Sequence, residues 1–285
     1  MGTTQSIKGK EGTFLTGDGL KLYYQTWSSQ ASPPKAALVV LHGLKDHSSR
    51  YTDLAARLTS RGFHVFAFDL RGHGRSEGRR VYVRRFSDYV DDLSLFLSLA
   101  RQQNPDVPVF LFGHSMGGTI STRLVMTAAP GVRGVVLSAA ATKPGADINP
   151  LLLRVVKFMG AVLPRFPIMN LPNALFSRDP AVVKAMATDP YIYQKKGPAR
   201  TAAEFLGAMQ QIQKEPTKVD MPLLILHGTA DRLTNPDGSR ALYQNAGSKD
   251  KTLKLYPGLY HDLVHEPEKE RIMGDIQEWL EARIS

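Results

Sequence analysis

The chain has 285 residues, 42% of them hydrophobic, enough for one large α/β domain with an insertion. It contains no cysteine, which excludes disulfides and thiolate metal sites, and no apolar run reaches the ~18 residues that would span a membrane. The net charge of +10 favours anionic surfaces: phospholipid, nucleic acid or acidic substrates. Arg71, Arg75, Arg79, Arg80, Arg84 and Arg85 crowd one stretch. No aromatic interleaving or nucleic-acid motif goes with them, so no nucleic-acid partner is expected. A solvated basic face is the first reading and weak attraction to anionic lipid the second. The N-terminal MGTTQSIKGKEG lacks an apolar signal core, so a cytoplasmic protein is expected, with at most peripheral contact to membranes. Met1-Gly2 with Ser6 fits a myristoylation pattern, but one short enough to arise by chance.

In chain order, residues 14–16 and 20–27 read as two strands around the Asp-Gly turn of Gly17-Asp18-Gly19. Residues 36–41 are continuously apolar, as in a sheet covered on both faces. Leu54 and Leu58 mark a helix over 50–60, stopped near Gly62. A strand follows at 64–69. A longer helix follows at 86–103, with Val90, Leu93, Leu97 and Ala100 on one stripe. Further strands are expected at 132–138, 223–227 and 252–256, and a last helix at 268–284. This alternation implies a mostly parallel sheet flanked by helices. Residues 142–218 break it. They are rich in proline and show no clear strand. Asn149-Pro150 is an N-cap with proline at the first helical position, opening an apolar helix to residue 163. Thr201-Ala202-Ala203-Glu204 reads as a capping box. The expected division is a core of residues 1–141 and 219–285 with a helical cap at 142–218. The cap would lie over the strand ends where open α/β sheets bind ligands.

Residues 107–118, VPVFLFGHSMGG, run a buried strand straight into a helix through Gly113-His114-Ser115-Met116-Gly117. The glycines allow close strand–helix packing and push Ser115 into strained geometry with its hydroxyl exposed, which makes a nucleophile elbow. A serine needs an adjacent base oriented by a carboxylate. Asp231 follows the strand at 223–227 and His261 follows the one at 252–256, so both lie in strand-end loops beside the elbow. Asp237 and His265 are the rival acid and base. The oxyanion donors expected are the backbone N–H groups of Met116 and Leu44. His42, His64, His73 and His227 read as structural, and no spaced cluster of ligands argues for a metal or other cofactor.

Several runs together resemble the monoacylglycerol lipase / lysophospholipase family of the α/β-hydrolase fold. They are His42-Gly43 with His47 and Arg50-Tyr51, residues 69–76 (DLRGHGRS), 113–118, 227–233 (HGTADRL) and 256–261. The cap segments Ser177-Arg178-Asp179-Pro180 and Thr188-Asp189-Pro190 add to the likeness. The resemblance implies an esterase for single-chain lipid esters such as monoacylglycerols, without a cofactor. It places Asp46, Arg50, His114 and the cap position held by Met186 at the alcohol end of the substrate. The family's cap residue there is a tyrosine, and a thioether cannot replace its hydrogen bond. A broad carboxylesterase or lysophospholipase is therefore the alternative. A proline-releasing aminopeptidase would need a carboxylate cluster in the cap, where only Asp147, Asp179, Asp189, Glu204 and Glu215 are scattered. A hydrolase-fold receptor that no longer turns over substrate is a third reading. No oligomeric state follows from the sequence.

Overall fold

The computed structural model describes residues 9–31, 33–127, 131–145 and 149–284. Met1, Gly2, Ser6 and Asp147 lie outside them. The hairpin pairs β1 (Lys10–Leu15) with β2 (Lys21–Trp27) around the expected turn, where Gly19 takes a φ of +85°. Asp18 of that turn is also an anchor. Its carboxylate receives two bonds from the Arg71 guanidinium at 3.0 Å, and Arg71 in turn binds Asp92 at 2.6 and 2.7 Å. The first arginine of the basic stretch is thus a buried tie between hairpin, loop and helix. Arg75, Arg79, Arg80, Arg84 and Arg85 are exposed.

The remaining core strands are β3 (Ala36–Leu41), β4 (Phe63–Phe68), β5 (Val109–His114) and β6 (Val132–Ser138). Past the insertion, which carries a short pair β7 and β8, come β9 (Leu223–Gly228) and β10 (Lys251–Tyr256). The eight-stranded sheet runs β1-β2-β4-β3-β5-β6-β9-β10, antiparallel over the first three strands and parallel from β4 onward. The apolar run 36–41 shows why the core has two halves. Ala37, Val39 and Leu41 face α2 (Phe86–Gln102) and α3 (Met116–Thr127), whereas Leu38 and Val40 face α1 (Thr52–Thr59) and the C-terminal helix. Every residue of β3 is buried, as expected of a strand covered on both faces.

Between β6 and β9 lie α4 (Pro150–Val162), α5 (Pro180–Thr188) and α6 (Ala199–Lys214), with the two short strands β7 (Pro167–Met169) and β8 (Gly197–Pro198) pairing antiparallel. These strands are too short to carry a period legible in the sequence. Asn149 caps α4 through Leu152 N–H at 2.8 Å, as expected. The capping box at Thr201 is not formed, because α6 begins earlier, at Ala199. Thr201 and Glu204 instead accept the Val83 and Phe86 N–H groups at 3.1 and 2.9 Å. The pattern therefore stitches α6 to the segment leading into α2. Thr201→Val should leave a buried N–H unpaired and cost ~1–3 kcal/mol. Urea unfolding would measure this, and an unchanged midpoint would show that water or a shifted backbone takes over. The last two helices, α7 (Pro236–Asn245) and α8 (Lys269–Glu281), complete the layers.

Candidate active site

The turn from β5 into α3 places Ser115 at φ +52°, a left-handed conformation unusual for a residue with a side chain. It is fixed on both sides: Ser115 N–H donates to Ser138 C=O at 3.0 Å, and Ser115 C=O accepts from Thr119 and Ala141. The glycines around it are demanded by close approach. A Cβ on Gly117 would come within 2.5 Å of the Leu41 and His42 carbonyls, and one on Gly118 within 2.5 Å of Ala140. Gly43, from the loop after β3, lies against the Ser115 Cβ, so that loop and the elbow meet. Leu44 follows it and lines the same cavity as Ser115. Met116 is the first residue of α3.

The loops after β9 and β10 bring Asp231 and His261 together. His261 Nδ1–H donates to Asp231 Oδ2 at 2.8 Å, and both groups are buried. The same oxygen accepts from His227 Nε2 at 3.1 Å and from the Thr234 hydroxyl at 2.7 Å, while Oδ1 accepts the Leu233 and Thr234 N–H groups. Burial alone would raise the Asp231 pKa. The two histidines and the donors overcome it and hold the carboxylate ionised, well below its usual range. His227, which reads as structural, holds a turn and lies behind Asp231: its Nδ1 meets Ser239 Oγ at 2.7 Å. The only sequence signal for this was its spacing of four residues before Asp231. Asp237 is exposed at the start of α7, and His265 is engaged by Asp262 and the Arg50 carbonyl. Neither reaches Ser115 or His261 by any hydrogen bond among the described residues.

Ser115 and His261 open onto a mostly apolar cavity of about 270 Å³, walled by Met169, Phe176, Phe205, Leu206, Met209 and Leu233 among others. Phe176 packs edge-on against His261, with centroids 5.4 Å apart. Sequence reasoning gave it no role. Among the described residues of the wall Lys143 is the one lysine or arginine, and none is a carboxylate.

Three residues expected at the alcohol end are placed elsewhere. Asp46 is buried and accepts from Arg50, Tyr51 and its neighbour's N–H; Arg50 bridges on to Asp262 at 2.6 Å. Met186 is buried among Phe176 and Ile192. None of the three lines the cavity. The ion pairs and the cap cluster consume them, and the bond from Arg50 to Asp262 joins residues far apart in sequence. His114 is buried with its ring 4.7 Å from that of His261. It shares Nδ1–H with Ser138 C=O, and its Nε2 has no partner among the described residues.

Burial drives His73 down to about 3 and His114 to about 4. Both are neutral in the folded protein but titrate near ~6.5 when unfolded. Below that value the unfolded chain binds more protons, so stability present above pH ~6.5 is lost as the pH falls towards ~4. Urea midpoints should decline across this window, above the range where ordinary carboxylates titrate. His73→Asn keeps a donor for the Arg71 carbonyl and should flatten the decline. An unchanged slope in the variant would exclude His73 as its source.

A mostly parallel sheet whose strand-end loops carry a strained serine and a histidine to one cavity, with a buried carboxylate behind the histidine, defines an α/β-hydrolase. The profile of the serine aminopeptidase S33 family matches residues 32–268. The chain is 35% identical to a monoacylglycerol lipase of Mycolicibacterium smegmatis over 96% of its own length and 98% of the relative's. It is 34% identical to the monoglyceride lipase of Homo sapiens over 99% and 94%. The crystal structure of the Paleococcus ferrophilus monoacylglycerol lipase, 31% identical, superposes with a TM-score of 0.82, covering 92% of this chain and 99% of that one. The chain belongs to the monoacylglycerol lipase family of the α/β-hydrolase fold.

Proposed function

We propose that this protein hydrolyses monoacylglycerols and related single-chain esters to fatty acid and alcohol through an acyl-enzyme, under a cap formed by residues 142–218. The observation that carries the reading is the cavity: apolar, ending at Ser115 and His261, and without a carboxylate among the described residues of its wall. Such a wall receives an acyl chain and offers nothing to the ammonium of a peptide substrate. The four described cap carboxylates have other partners. Asp179 caps α5, Asp189 meets His47, Glu204 meets Phe86 N–H and Arg200, and Glu215 meets Lys218.

In the reaction His261 accepts the Ser115 proton through Nε2 while Asp231 holds its Nδ1–H. Ser115 Oγ attacks the ester carbonyl, and the N–H groups of Leu44 and Met116 stabilise the oxyanion. His261 then protonates the leaving alcohol, and water returns by the same route to release the fatty acid.

The cap also supports contact with lipid aggregates. No helix among the described residues is long and apolar enough to cross a membrane. On α4, however, Leu151, Leu152, Val155, Phe158 and Val162 are all exposed, and Leu163 and Phe166 extend the patch. Val156 lines the cavity instead, and Lys157 is drawn to Gln210 on α6. An apolar face of this kind with Arg154 beside it suits the surface of a lipid aggregate. The test is turnover across a panel varying acyl chain and head group independently, in wild type and in Leu151→Asp/Phe158→Asp. Long-chain monoacylglycerols should be preferred, and the double variant should lose roughly tenfold or more on aggregated long-chain substrate with short soluble esters unaffected. Equal loss on both would indicate a collapsed cap. No preference for long chains would favour a broad esterase.

A further inference from the structure

A second cavity, of about 740 Å³, lies on the far side of α6, and none of its lining residues belongs to the apolar one. Helix α6 turns Phe205, Leu206 and Met209 towards the active site and Ala203, Gly207 and Gln211 towards this second space. The core helices α2 and α3 form its other wall, and Lys157 reaches it from α4, so it spans the joint between core and cap.

Two observations at this joint call for a ligand. The first is Arg123, from the middle of α3. Its side chain is half-buried yet makes no hydrogen bond or ion pair among the described residues. Only Glu215 acts on it, through space, and desolvation lowers its pKa. Charged groups withdrawn from water are normally paired. The second is Gly207. A glycine inside a helix costs about 0.5–1 kcal/mol relative to alanine. Here a Cβ would meet nothing within 4 Å, so no packing requires the glycine. Its effect is to keep the floor of the cavity open.

The remaining chemistry narrows the ligand. Arg85 and Arg200 are neutralised by Asp88 and Glu204. Lys157 binds only the neutral Gln210 amide, at 2.7 Å. A planar guanidinium and an ammonium therefore face the space, with the Ser87 and Thr127 side chains lining it. This is an arrangement for a multivalent oxyanion. Asp91 is the acidic group left on the wall, and Arg123 and Lys157 must outweigh its repulsion of an anion.

We propose that the joint between α2, α3, α4 and α6 binds a phosphate group, free or as a phosphomonoester, with Arg123 and Lys157 as its cationic partners and Gly207 as its floor. A ligand held there connects core helix α3 to cap helix α4, so it stabilises one placement of the cap without touching the catalytic residues.

The test is calorimetric titration of the intact protein with inorganic phosphate and with glycerol 3-phosphate at constant ionic strength, acetate serving as control. Sub-millimolar affinity for at least one phosphate, a raised melting temperature on binding and much weaker acetate binding are expected. Arg123→Gln and Gly207→Leu should each weaken the affinity by roughly tenfold or more. Without ligand, both should turn over a soluble p-nitrophenyl ester as wild type does, which also reports that they fold. Gly207→Leu adds a good helix former into open space and guards against loss of structure in the arginine variant. Tight binding of inorganic phosphate alone identifies the free ion as the ligand, and a requirement for glycerol 3-phosphate identifies an ester. Absence of binding by both at about 10 mM, acetate binding as strongly as phosphate, or undiminished affinity in either variant would overturn the proposal.

Discussion

Ser115→Ala is expected to lower kcat for a soluble ester by on the order of 10⁶-fold, with the unfolding midpoint nearly unchanged. The substitution removes one hydroxyl that faces the cavity and keeps the Cβ that Gly43 packs against. The backbone bonds that hold the turn all come from main-chain groups, namely Ser138 C=O, Thr119 N–H and Ala141 N–H, so they survive the change. The loss is large because every later event depends on the acyl-enzyme: without Oγ, His261 has no proton to accept and the oxyanion donors have no tetrahedral centre to hold. A serine-directed phosphonate should label Ser115 alone. More than a trace of turnover in the variant, or label at another residue, would remove Ser115 as nucleophile.

Asp231→Asn should cost on the order of 10⁴-fold in kcat. The reason is particular to this carboxylate. Its two oxygens accept from five donors: His261, His227, Thr234 Oγ1 and the two N–H groups of Leu233 and Thr234. An asparagine has one oxygen and one NH₂, so in either orientation its amide presents hydrogens to donors. Turned towards His261, the amide would favour the imidazole tautomer that carries its proton on Nε2 and cannot take one from serine. The same geometry makes His227 a positioning residue. His227→Leu should reduce kcat by roughly tenfold, the worth of a hydrogen bond to a charged group, with little change in KM. His227→Gln, which can still donate to the carboxylate, should restore much of the rate. Asp237→Asn should leave kcat close to wild type, since Asp237 is exposed and pairs with Arg240. If Asp237→Asn were crippling and Asp231→Asn mild, the acid would have to be reassigned. His265 is a poorer control than its sequence position suggested. It is tied to Asp262 and the Arg50 carbonyl, so replacing it acts on stability as well.

The sequence by itself determined the features that local patterns encode. Continuous apolar runs at residues 36–41, 109–112 and 223–226 read as buried strands, and their alternation with helices implied a mostly parallel sheet. The elbow was legible because its requirement is local, glycines around a serine at one strand end. The meeting of Asp231 and His261 was legible because both follow directly on sheet strands, so chain position translates into place. Tertiary structure decided what depends on partners distant in the chain. Arg50 is bound by Asp262, His47 by Asp189 and Arg71 by Asp18, and each pairing removes a polar group that the sequence left free for other roles. Thr201 and Glu204 have the spacing of a capping box, yet the donors they accept belong to Val83 and Phe86. Apart from Arg154 and Lys157, helix α4 reads as apolar, and only its packing on α6 separated Val156, facing the cavity, from Phe158, facing solvent. Patterns of period two or 3.6 specify which face of an element is apolar. Which element covers that face, and which charge answers a buried charge, is set by the free energy of the assembled fold, where an unpaired buried group is costly and any partner within reach is taken.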